Sequence, residues 1–114
     1  MRTLTCWSVA AVAGCLSLAA AACENPAVVN IPEGKTSTLE QMLAAQAQVK
    51  TYQAKMNEYL ACIDAEGDAQ GEKAPADFKA LIVNRHNAAV AEMEGVAAAF
   101  NDQIKAYRAA NPAK

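Results

Sequence analysis

The thirty residues from Ser37 to Glu66 read STLEQMLAAQAQVKTYQAKMNEYLACIDAE. Met42, Ala45, Val49, Tyr52, Met56, Tyr59 and Ile63 recur at alternating intervals of three and four. That spacing puts them on one face of an α-helix as a continuous apolar stripe. Leu39, Leu43 and Leu60 widen it. Ser37-Thr38-Leu39-Glu40 supplies the start, read as a capping box in which the Ser37 hydroxyl and the Glu40 carboxylate satisfy N–H groups that the first turn leaves without partners. The stripe stops near Glu66-Gly67, so the pattern predicts a helix over 37–66.

Downstream, Gly-Asp-Ala-Gln-Gly-Glu-Lys-Ala-Pro (residues 67–75) reads as a polar turn. Pro75 suits the first turn of a second helix, with Asp77 near its positive end. Its stripe is Phe78, Ile82, Val90, Met93, Ala97, Phe100, Ile104 and Tyr107, and Asn111-Pro112 ends it. This helix is expected over 75–109, leaving 111–114 as a tail. Helices of about 30 and 34 residues, roughly 45 and 51 Å long, joined by a short loop, fold as an antiparallel two-helix hairpin. The predicted class is all-α, because no strand pattern competes.

Upstream, residues 23–36 contain Pro26 and Pro32, so they form an extended arm rather than a helix. Val28, Val29 and Ile31 give that arm an apolar side. Reach decides where it goes. Cys62 stands roughly 37 Å along the first helix. The residues from Glu24 to Ser37 span at most about 46 to 50 Å when extended. The arm can therefore fold back at Gly34 and run along the helix until Cys23 meets Cys62. A disulfide closing that loop would be worth about 4 kcal/mol in the chain-entropy description. That matters because one stripe per helix makes a marginal core for a small domain.

Residues 1–22 read as an address. Met1-Arg2-Thr3 is a short basic start, Leu4 to Ala22 carries no charge, and Ala20 and Ala22 form a small-residue cleavage site before Cys23. Cys6 and Cys15 leave with such a leader. Cys23 and Cys62 then enter an oxidising compartment, where two thiols pair. The alternatives are a lipid on Cys23 with Cys62 reduced, or a bridge between two chains. A lipid on Cys23 or Cys15 would attach the protein to a membrane.

Composition narrows the function classes. With 10 Lys+Arg against 12 Asp+Glu and a net charge of −2, the chain lacks the basic face that nucleic-acid binding uses to displace counterions. No catalytic residues and no metal ligands are assigned, and no cofactor is expected. His86 is solitary, and Ser37 is the one serine beyond the first twenty residues, so no nucleophile–base pair forms in the sequence. Asp64, Glu66, Asp68, Glu72 and Asp77 invite a calcium reading. An EF-hand register from Glu66, however, puts Gln70 at its fifth position and Lys73 where an apolar residue belongs. A small hydrolase and a calcium binder thus fit poorly. Tyr52 and Tyr59 read as seam residues, and Met42, Met56 and Met93 as core filler. Gly95, among Ala91, Ala97, Ala98 and Ala99, marks a small-residue patch where the arm or a second protomer could approach closely.

The run Cys23-Glu-Asn-Pro, Ile31-Pro-Glu-Gly, Met42 with Ala44-Ala45-Gln46, Val49-Lys50-x-Tyr52 and Tyr59-Leu60-Ala61-Cys62 resembles a group of short exported proteobacterial proteins. The resemblance covers residues 23–63 and implies an exported helical protein with paired cysteines. It implies no activity. The expected protein is a periplasmic or secreted helical module, structural or protein-binding. Its partner would be another protein or a second copy, and its contact surface Leu39, Leu43, Leu60 and Gly95.

Overall fold

A computed structural model describes residues 23–113 of the chain. The leader reading of 1–22, with Cys15 as a lipid acceptor, lies outside the described residues. Within them the architecture is an antiparallel hairpin of α1 (Leu39–Gln70) and α2 (Ala76–Ala110), with no strand. Residues 23–33 form an irregular extended arm, and the Cys23–Cys62 disulfide ties it to α1.

The cap of α1 sits one residue later than the sequence suggested. Thr38 is the N-cap: its Oγ1 accepts from the Gln41 N–H at 3.2 Å, and its own N–H donates to Gln41 Oε1 at 2.8 Å. Ser37 instead donates its hydroxyl to the Glu33 carbonyl at 2.7 Å, closing the turn that precedes the helix. Ser-Thr-Leu-Glu-Gln offers two capping registers, and the Glu33–Ser37 turn selects the second. Thr38→Ala should therefore cost about 1 kcal/mol, read as a lower thermal midpoint, while Ser37→Ala costs less.

The far end of α1 also differs from expectation. The helix runs through Gly67, which faces Ile82 of α2 with that side chain's Cγ2 3.1 Å from where a Cβ would stand. Gly67 is a packing residue, and the helix ends at Gly71. There φ is +71°, a left-handed value that side chains rarely adopt, and the Gly71 N–H donates to the Asp68 carbonyl. The connection shortens to residues 71–75. Lys79 Nζ donates to the Glu72 carbonyl at 2.7 Å, and the Pro75 carbonyl accepts from the Lys79 N–H. At the other end Asn111 donates both its N–H and its Nδ2 to the Tyr107 carbonyl, and Arg108 complements the negative terminus of α2.

Met42, Ala45, Val49, Tyr52, Met56 and Ile63 are buried along α1, and Tyr59 is half-buried against them. On α2 the buried residues are Ala89, Val96 and Phe100, flanked by half-buried Met93, Ile104 and Tyr107. Val90 and Ala97, assigned to the seam from sequence, sit one position off it and are half-exposed. The reason is composition: neighbouring Ala and Val residues make two registers equally apolar, and the one continuous with Phe100 wins. The arm adds Val29 and Ile31 to this core. No helix among the described residues is long and apolar enough to cross a membrane.

Candidate functional site

The feature that sets this hairpin apart is the clasped arm. It runs antiparallel to α1 and alongside α2, because its two ends are fixed at opposite ends of the seam. At one end Cys23 and Cys62 are disulfide-bonded with their Cα atoms 5.7 Å apart. At the other, the chain turns at Gly34, whose N–H donates to Gln103 Oε1 at 2.9 Å. Gly34 is buried, and a Cβ there would overlap the Gln103 carbonyl oxygen and lie 2.9 Å from the Tyr107 nitrogen. Its φ is not left-handed. Glycine serves here because α2's backbone comes too close for any side chain.

Between these anchors the three staves meet at Glu92. Its Oε1 accepts from the Tyr52 hydroxyl of α1 at 3.2 Å, and its Oε2 from Asn25 Nδ2 of the arm at 3.5 Å. The sequence reading does not single out Glu92. Its signal was register: Glu92 lies three residues after Ala89 and four before Val96, next to the seam. Burial, with the adjacent Glu92 carboxylate, holds the Tyr52 phenol above its ordinary range. A phenol raised by folding keeps its proton while the unfolded chain ionises, so it adds constant stability at lower pH and loses it as pH rises above about 10. Thermal midpoints between about pH 9 and pH 11 should therefore fall more steeply in the native chain than in Tyr52→Phe.

A second polar layer lies toward the closed end. Arg85 Nη1 bonds Glu66 Oε2 at 3.1 Å, and the Tyr59 hydroxyl, together with Glu66, raises the guanidinium's pKa. His86 Nδ1 lies 3.2 Å from Asp64 Oδ1. Asp64 and Glu66, two of the five carboxylates that invited the calcium reading, thus lie on α1 and turn to α2 side chains. Both pairs are partly exposed, and such pairs contribute little to stability. They link α1 directly to α2.

Beside the arm lies an open groove of about 1290 Å³, walled by Cys23 to Asn30 on one side and by Thr51, Lys55 and Glu58 of α1 on the other. The residues expected to form a contact surface divide. Leu39 and Leu43, 57% and 56% exposed, are four apart and make an apolar pair near the start of α1. Leu60 packs against the core. Gly95 is exposed, with nothing within 4 Å of where its Cβ would be, so the arm does not pack there and makes its close approach at Gly34. Comparison with protein-family models, curated proteins and solved structures gives no match.

Proposed function

We propose that this chain is an exported bacterial envelope protein, periplasmic or secreted, that acts as a structural or protein-binding helical module. The clasp carries this reading. A disulfide between the residue after the leader and the far part of α1 suits an oxidising compartment, where such bonds form and persist. The leader pattern of residues 1–22 supports the same destination. The exposed Leu39–Leu43 pair supports a protein partner or a second copy, since apolar surface on a small helical unit is covered by association.

Intact mass of the protein recovered from its native cells tests the destination. The expected species begins at Cys23 and is lighter than the reduced chain by two hydrogens. A species retaining residues 1–22, or one carrying a diacylglycerol, would overturn soluble export. A thioether lipid on Cys23 would claim the sulfur that the disulfide uses, so the two forms exclude each other. Sedimentation of the oxidised protein tests the partner: self-association should weaken in Leu39→Glu/Leu43→Glu. A monomer at every concentration, with no envelope protein retained by the native surface and lost from the double variant, would remove the binding role.

A further inference from the structure

We propose that the Cys23–Cys62 disulfide is a releasable latch, whose reduction frees the arm over residues 23–33 while α1 and α2 stay paired. The arm makes no backbone–backbone hydrogen bond from Cys23 to Pro32 among the described residues. Its first backbone bond is the turn from Glu33 to Thr36. Residues 23–32 therefore belong to no helix or ladder that would hold them cooperatively. What holds them is the half-burial of Val29 and Ile31, the 3.5 Å contact of Asn25 with Glu92, and the disulfide.

Geometry explains why the covalent bond matters most. α1 is a rigid strut, and Cys62 stands roughly 36 Å from its start. The eleven residues of the arm, 23–33, reach at most about 36 to 40 Å when extended. Tying its end to Cys62 keeps it near full extension, so little further freedom is lost when Val29 and Ile31 settle on the core. Once the tie opens, all of that freedom returns, and two half-buried side chains with one long polar contact do not offset it. The hairpin has its own seam. Met56 of α1 and Val96 and Phe100 of α2 belong to one buried cluster, and the Arg85–Glu66 and His86–Asp64 pairs join the helices directly.

The latch can be reached. Both cysteines are half-exposed at the edge of the open groove. The opening step is thiol–disulfide exchange with a dithiol. One thiolate of the reductant attacks a sulfur of the bridge and breaks the S–S bond, giving a mixed disulfide. Its second thiol resolves that intermediate, so the reductant leaves as a disulfide and Cys23 and Cys62 each take up a proton. The latch depends on neither the proposed role nor the compartment in which the chain resides.

Backbone ¹⁵N relaxation on residues 23–114, with and without dithiothreitol and no denaturant, tests it. In the oxidised protein the order parameters of Ala27 to Ile31 should be near those of the helices, about 0.85, and after reduction they should fall below about 0.6. The helices should keep their order parameters and their far-ultraviolet dichroism. Cys23→Ser/Cys62→Ser should match the reduced protein. The proposal is overturned if the arm stays ordered after reduction, if the helices melt together with it, or if the bridge resists the dithiol until denaturant is added.

Discussion

Replacing Met56 by alanine is expected to lower the unfolding free energy by about 3 kcal/mol. Met56 is 0% exposed, lies midway along α1, and shares one core with Tyr52, Phe100 and the half-buried Tyr59. Removing its thioether takes away apolar burial and leaves a void that two long parallel surfaces cannot close without shifting along their whole length. In a domain this small the loss should reduce the thermal midpoint by roughly 12 to 24 °C. Leu39→Ala, on the exposed side of the same helix, should change it by no more than about 0.5 kcal/mol. Equal losses at the two positions would show that the seam does not carry the stability.

Gly34→Ala should cost nearly as much, through a different cause. The added methyl would collide with the Gln103 carbonyl and crowd the Tyr107 nitrogen, both backbone atoms of a continuous helix that cannot yield. The turn must lift instead, breaking the 2.9 Å bond from the Gly34 N–H to Gln103 Oε1 and unseating Ile31. Overpacking of this kind costs about 2 to 3 kcal/mol. Gly95→Ala makes the instructive contrast: nothing lies near that position, and alanine is the better helix former, so stability should rise by about 1 kcal/mol. Denaturant midpoints of the two variants, measured side by side, should move in opposite directions.

These paired outcomes mark what could be read from the residues alone. The α1 stripe was legible because Met42, Val49, Tyr52, Met56 and Ile63 are large and their neighbours polar. The clasp was legible because helix rise and chain reach are fixed lengths, and they matched. On α2 the register slipped by one at Val90 and Ala97, since alanine is equally at home in a seam and on a surface. The end of α1 was misplaced for a related reason. Glycine at 67 and at 71 looks the same in sequence, but the first meets Ile82 and the second carries a left-handed φ. The Glu92 hub was missed because its partners, Tyr52 and Asn25, are 40 and 67 positions away and come together only through the fold.

The sulfur bridge also sets how the molecule would answer a pull. Tension entering at Cys23 passes directly to Cys62, so the 39-position span between them carries no load. Roughly 130 Å of contour would stay hidden as the rest of the chain is drawn out by force, and would appear as added extension only after the bridge is cut.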